Sequence, residues 1–116
     1  MNSMKWGAFL AAAGVALSAF GAHGLQSRIA PEMLEIYKTA THYWLLHSFA
    51  LILFGLAGIR KSWPARCFLG GICVFCGSLF ALVASGIKSF GAITPIGGVL
   101  FIIGWLGFGW LAKGER

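Results

Sequence analysis

The chain has 116 residues, of which 59% are hydrophobic and 10% charged, and its mean hydropathy is +0.84. These values exclude an ordinary soluble domain and a disordered tail, and the length allows about four or five membrane crossings without a sizeable extramembrane domain. The net charge of +6 comes from basic residues in the short segments between apolar runs, which indicates membrane topology and lipid contact and not nucleic acid binding.

The first apolar run, residues 6–22, contains no charged residue and is just long enough to cross a bilayer. Lys5 precedes it and His23 follows it. A cleaved signal peptide is the rival interpretation, because the basic start and the small residues Ala19 and Gly21 resemble a processing site. We expect a membrane crossing.

The next segment, residues 24–40, is too polar to span a membrane and too long for a tight turn. Pro31 and Glu32 are typical of a helix start, and apolar residues recur on one face at helical spacing as far as Trp44. The pattern predicts an amphipathic helix at the outer interface that leads into a second crossing at residues 41–59.

The third and fourth crossings are expected at residues 67–87 and 90–112, both free of charged residues and separated by little more than Lys88. Such a short connection predicts a tight helical hairpin. The three cysteines all lie in the third run, an odd set without matching ligands, which favours packing over a disulfide or a metal site. Residues 1–116 are thus predicted to form one all-α domain, an up-and-down bundle of four transmembrane helices.

The orientation of this bundle follows from its basic residues, which are more numerous on the side of both termini and the second connection. The six on that side are Lys5, Arg60, Lys61, Arg66, Lys113 and Arg116. The other side holds three, Arg28, Lys38 and Lys88. The positive-inside rule therefore predicts that both termini are cytoplasmic.

None of the four runs contains Asp, Glu, Lys or Arg, which argues against a proton-coupled antiporter and a voltage sensor. In the up-and-down topology His23, Tyr43, His47 and Thr94 are expected to approach one another in the outer leaflet. Three interpretations stay open for the histidines: capping or bonding of neighbouring carbonyls, binding of a lipid headgroup, quinone or other small ligand, and ligation of haem or a metal.

Small residues recur at helical spacing within the crossings, for example at Gly7, Gly70, Gly77, Gly97 and Gly104. Such stripes let helices approach closely, either within one copy of the chain or between copies. In the fourth run, the stretch from Thr94 to Gly98 combines a helix start with two glycines. It is suited to cradling an anionic or carbonyl group or to tight packing against the first helix.

Four short motifs also occur in a characteristic order. They are Gly21-Ala22-His23-Gly24-Leu25, Thr39-Ala40 with Tyr43 and His47, Gly77-Ser78-Leu79-Phe80, and Thr94-Pro95-Ile96-Gly97-Gly98 with Gly104-Trp105. Over almost the whole chain they resemble the YgdD-like (UPF0382/DUF423-like) family of small bacterial inner-membrane proteins, a domain of unknown function. The resemblance implies a four-helix multi-pass protein of the bacterial cytoplasmic (inner) membrane with no assigned activity.

We therefore expect a non-enzymatic bundle without catalytic residues, bound metal or required cofactor, which binds a lipid, a small hydrophobic ligand or a membrane partner near the outer leaflet as a homo-oligomer. The expected ligand-binding residues are His23, Tyr43, His47, Thr94, Pro95, Gly97 and Gly98. The expected structural motif residues are Gly21, Gly24, Gly77, Ser78, Gly104 and Trp105. A small oligomeric channel or transporter, and a redox protein that binds haem or quinone, remain the alternatives.

Overall fold

The computed structural model describes residues 2–114, and this part of the chain consists of helices and their connections. The α-helices are α1 (Ser3–Phe20), α2 (Pro31–Leu56), α3 (Trp63–Gly71), α4 (Gly77–Ser85) and α5 (Thr94–Gly114). Two π-helical segments, Gly21–Leu25 and Ile72–Cys76, extend α1 and join α3 to α4, and a 3-10 helix covers Lys88–Ala92. Arg116 and the side chain of Lys113, both used to predict orientation, lie outside the described part.

The predicted all-α class is confirmed. Within residues 2–114, three segments are long and apolar enough to cross a membrane, Ser3–Leu25, Trp63–Ser85 and Lys88–Ala112. The predicted second crossing, residues 41–59, is not among them, and residues 24–40 do not form a helix of their own. Instead α2 runs unbroken from Pro31 to Leu56, because Pro31 is compatible with a first helical turn and nothing after it interrupts the hydrogen bonds.

Helices α1 and α2 pack antiparallel along a seam of glycines spaced seven residues apart. Gly7, Gly14 and Gly21 are all buried. A Cβ atom added to Gly7 would lie 2.6 Å from the Ser48 carbonyl oxygen, and one added to Gly21 would collide with the Tyr37 ring. Only glycine permits backbones to come this close.

Two side-chain hydrogen bonds from α2 fix the register of this pair. The Tyr37 hydroxyl donates to the carbonyl oxygen of Leu17, and the Trp44 indole N–H donates to that of Leu10 at 2.6 Å. Both donors and both acceptors are seven residues apart, so the two bonds lie two turns from each other on the same face of each helix.

The third rod, α3 with the π-helical segment and α4, lies between α2 and α5 and runs antiparallel to both. The Cys76 thiol donates to the Ala40 carbonyl oxygen at 3.2 Å. On the other side Gly97 packs on the backbone of Phe75. Successive rods are therefore antiparallel in sequence order, and Ser3 and the end of α5 lie at the same end of the molecule. We refer to it as the termini end and to the opposite one as the far end.

The buried side chains come mainly from α2 and the third rod, whereas α1 and α5 carry many of the exposed large apolar residues. Helix α2 is consequently the central element, and its buried residues include the polar side chains of Thr41, His47 and Ser48. The glycine stripes pack within the chain at Gly7 and Gly97. At Gly77 the stripe does not pack within the chain, because an added Cβ would meet nothing within 4 Å.

Candidate functional site

A crevice of about 300 Å³ separates α2 from α5, with the π-helical segment as its floor. We call it the α2–α5 crevice. It is lined by Tyr43, Leu46, His47, Phe75, Gly98, Phe101, Ile102 and Trp105. The lining residues of α2 and of α5 follow helical i, i+3, i+4 spacing, so each helix presents one face to the cavity.

His47 lies in this crevice with 2% of its surface exposed and both ring nitrogens hydrogen-bonded. The Trp105 indole N–H donates to Nε2 at 3.0 Å. Because an indole nitrogen can only donate, Nε2 is the accepting nitrogen, and the proton is on Nδ1, which donates to the Tyr43 carbonyl oxygen at 2.9 Å. The imidazole is therefore a neutral, fixed tautomer whose lone pair is already used.

Aromatic rings enclose the imidazole. Phe101 stacks on His47 with the ring centroids 3.6 Å apart and the planes 10° from parallel. Phe68 approaches the imidazole from the third rod at 5.8 Å. The Tyr43 ring packs on Phe75 at 4.6 Å. These contacts leave the crevice apolar apart from the side chains of His47, Trp105 and Tyr43.

Tyr43 supplies the free polar group of the crevice. Its side chain is half-buried, and within residues 2–114 its hydroxyl has no hydrogen-bond partner. A phenol can donate one hydrogen bond and accept others. The crevice is therefore suited to a mainly apolar molecule with one hydrogen-bonding atom.

The predicted residues Ser78 and Thr94 are brought together, but outside the crevice lining. Their hydroxyl oxygens are 2.6 Å apart. Ser78 also donates to the carbonyl oxygen of Phe75 at 2.9 Å. Since a hydroxyl has one hydrogen, Thr94 is the donor of the pair. The pair connects α4 to the first turn of α5, and Gly97 and Gly104 continue this contact against Phe75 and Phe68.

His23 is not brought to His47. It is exposed on the π-helical end of α1, where the neighbouring Gly21 packs on Tyr37. Tyr37 precedes His47 by ten residues, which is about 15 Å along a helix. The antiparallel register of α1 and α2 thus separates His23 from His47, although the up-and-down topology predicted that they approach each other.

The crevice also lies near the middle of the helices and not at their far ends. Gly14, the midpoint of Ser3–Leu25, packs on Trp44 and Leu45, which are close to His47 on α2. On α5 the crevice extends from Gly98 to Trp105. Of the other predicted residues, Pro95 is exposed, and Gly24 packs on its neighbour Phe20.

Sequence reasoning placed Trp105 among the structural residues and missed Phe75 and Phe101. A usable pattern was present on α5, since Gly98, Phe101 and Trp105 follow each other at spacings of three and four. The partner face on the third rod had no comparable pattern, because the π-helical segment changes the helical repeat there.

The comparisons with known proteins agree on the family. The family model described as "Protein of unknown function (DUF423)" matches residues 17–98. The chain belongs to the DUF423 family. It is 45% identical over 104 residues to a UPF0382 membrane protein of Staphylococcus aureus (strain bovine RF122), with 86% of this chain and 85% of the relative covered.

Further relatives of this DUF423 protein carry the same description. UPF0382 membrane proteins of Staphylococcus epidermidis and Staphylococcus saprophyticus are 42% and 41% identical over 104 residues, covering 86% of this chain and 85% and 87% of the relatives. No solved structure matches the chain significantly. The resemblance found in the motifs is thereby confirmed, and the chain is a membrane protein of an uncharacterised family.

Proposed function

We propose that the chain crosses the membrane four times, with α2 as the additional spanning helix. Its 26 residues extend about 39 Å, enough to span a bilayer. It lies along α1 from Tyr37 to Ser48 and along the third rod from Ala40 onwards, so it shares their depth. Its polar residues Thr41, His47 and Ser48 are buried in the bundle, which shields them from lipid and explains how a less apolar helix is tolerated there.

We also propose that the termini end faces the cytoplasm in a bacterial cytoplasmic membrane. Lys5, Arg60, Lys61 and Arg66 belong to this end, as the neighbours of the first residues of α1 and of the α2–α3 connection. Arg28 and Lys88 lie in the connections at the far end. The excess of basic residues supports the orientation.

For the molecular function, we propose that the α2–α5 crevice binds the apolar part of a lipid or another small hydrophobic ligand. The observation that carries this proposal is a cavity at mid-depth, lined by aromatic rings, in which Tyr43 offers a single free hydroxyl. The bound molecule would insert from the lipid side, since the exposed residues Leu46 and Ile102 form the rim. The ligand is therefore expected to be an amphipathic molecule with an acceptor such as an ester or quinone carbonyl.

The crevice can be closed by adding a side chain to its wall. Gly98→Leu places an isobutyl group in the cavity, because an added Cβ there has only the Phe75 ring at 4.0 Å. The control is Gly109→Leu on the same helix, where nothing lies within 4 Å. Copurifying ligands are identified by native mass spectrometry and by solvent extraction.

We expect Gly98→Leu to lose most of the bound ligand and Gly109→Leu to retain it. Equal ligand content in the two variants, with both folded, would contradict binding in the crevice. An absorption spectrum tests the redox alternative at the same time. Because both nitrogens of His47 are hydrogen-bonded, haem ligation would require displacement of Trp105 and would appear as a Soret band.

A homo-oligomer is the proposed assembly. The bundle measures only 18 Å along its shortest axis, and Gly77 is an open face on the third rod. Small residues on an exposed face allow helices of separate copies to pack closely in lipid. Mass measurement in lipid nanodiscs should give a multiple of the chain mass, reduced by Gly77→Leu, and a monomer for the parent would contradict the proposal.

A further inference from the structure

A second cavity, of about 350 Å³, lies at the termini end, where α1 and α3 begin and α2 ends. We call it the termini-end pocket. Its polar lining includes Asn2, Ser3, Arg60 and Ser62. None of its lining residues belongs to the α2–α5 crevice, which lies near the middle of the helices.

The Ser3 hydroxyl is the most informative polar group of this pocket. Only 6% of Ser3 is exposed, and within residues 2–114 its hydroxyl has no hydrogen-bond partner. Among the described residues, no enclosed side-chain nitrogen or oxygen lacks a partner. The Ser3 oxygen is therefore not sealed off, and because Ser3 lines the pocket its hydroxyl is available to hydrogen-bond a molecule bound there.

Two helices begin beside this pocket. The first N–H groups of a helix have no partner within it. Ser62 lines the pocket and precedes α3 without capping it through its side chain. Helix α1 begins at Ser3, and its Asn2 cap bonds only the Lys5 N–H, at 3.1 Å.

The charges around the pocket favour an anion. Two helix N-termini contribute positive potential, and one C-terminus, that of α2, contributes negative potential. Arg60 lines the pocket immediately beyond that C-terminus and offsets it. The two acidic residues within the described part, Glu32 and Glu35, lie in the first turns of α2 at the far end. No carboxylate of residues 2–114 therefore competes for Arg60.

From these observations we infer that the termini-end pocket binds a phosphate group. The Ser3 hydroxyl donates to a phosphate oxygen, and Arg60 pairs with the charge. Arginine and helix N-termini are both common partners of phosphate in proteins. The group is carried either by an anionic lipid of the same leaflet or by a soluble phosphate compound.

The decisive comparison uses two neighbouring basic residues. Arg60→Gln and Lys61→Gln remove the same charge from the same connection, but only Arg60 lines the pocket. The full-length protein is reconstituted in phosphatidylcholine nanodiscs with increasing fractions of phosphatidylglycerol, and bound lipid is counted by native mass spectrometry. Inorganic phosphate is titrated in parallel, with the thermal midpoint as the measure. Ser3→Ala is the second pocket variant.

We expect a retained phosphatidylglycerol molecule on the parent and on Lys61→Gln, about tenfold weaker binding on Arg60→Gln, and an intermediate loss on Ser3→Ala. Displacement of that lipid by inorganic phosphate, or a phosphate-dependent thermal shift lost in Arg60→Gln, would assign the site to a soluble compound. Retention without phosphate sensitivity would assign it to the lipid. Equal weakening by the two charge variants, or no preference for phosphatidylglycerol and no response to phosphate, would overturn the inference.

Discussion

His47 shows how a polar side chain is accommodated at mid-depth in an apolar bundle. Its bond to the Tyr43 carbonyl is local, one helical turn away, and a sequence argument can anticipate it. Its second bond, to Trp105, joins residues 58 positions apart. That partner depends on the rotation of α5 about its axis, which no local pattern determines. Of the three interpretations that the sequence left open, this geometry corresponds to the first.

The indole–imidazole bond predicts a specific loss on removing its donor. Trp105→Phe keeps most of the ring but leaves Nε2 of His47 without a partner in the apolar crevice. We expect the free energy of unfolding to fall by about 1 kcal/mol, the usual scale for such bonds in membrane proteins. Equilibrium unfolding of the protein in detergent micelles measures it.

Trp110→Phe is the matched control for this prediction, because Trp110 lies on the same helix with 74% of its surface exposed. It should unfold like the parent. If both variants lost the same stability, the effect would come from the tryptophan ring in general and not from the bond to His47.

At the scale of helices, the sequence predicts that some helix faces pack closely, but not which helix each face contacts. The stripes correctly indicated close packing at Gly7, Gly97 and Gly104, but not at Gly70 and Gly77. The stretch from Thr94 to Gly98 was expected to pack on the first helix or to cradle a polar group. It packs instead on the third rod, with Gly97 against Phe75. A stripe shows which face is in contact, but the identity of the facing helix is a property of the whole bundle.

Two adjacent glycines on α5 allow a sharp test of this contact. An alanine at Gly97 would place its Cβ against the backbone nitrogen of Phe75, which cannot move aside. At Gly98 the nearest atoms, on the Phe75 ring, are 4.0 Å away. Gly97→Ala should therefore destabilise the bundle by about 1–3 kcal/mol, through overpacking.

Gly98→Ala should leave stability unchanged or raise it by up to about 1 kcal/mol, because alanine is the better helix former. Unfolding of the two variants under identical detergent conditions gives the difference directly. Equal stabilities would show that α5 is free to shift away from the third rod.

The beginning of α2 marks a limit of sequence patterns. Pro31 correctly indicates a helix start, but the polarity of residues 24–40 predicts a helix at the membrane surface. The structure continues the same helix to Leu56. Hydrophobic periodicity is identical for an interfacial helix and for the first turns of a long spanning helix, so it cannot locate the membrane boundary between them.

For the whole molecule, the up-and-down order of the rods follows from three antiparallel contacts, and the basic residues support the proposed orientation. Single cysteines test both. Ser27 and Ser89 lie in connections at the far end, and Lys61 lies in the connection at the termini end. A membrane-impermeant maleimide should label Ser27→Cys and Ser89→Cys in intact cells.

Lys61→Cys should be labelled only after permeabilisation, with the parent and its three natural cysteines as the background. If α2 did not cross, Ser27→Cys and Lys61→Cys would share one labelling pattern. If the orientation were reversed, the two patterns would be exchanged.

The π-helical segment Ile72–Cys76 sets the rotational phase between the two halves of the third rod. A π-helical turn contains an additional residue, and one residue corresponds to about 100° around a helix. Deleting a single residue from this segment would leave Phe68 against Gly104 but turn α4 so that Ser78 no longer met Thr94. The segment is therefore a phase correction, through which both halves of the third rod meet the same face of α5.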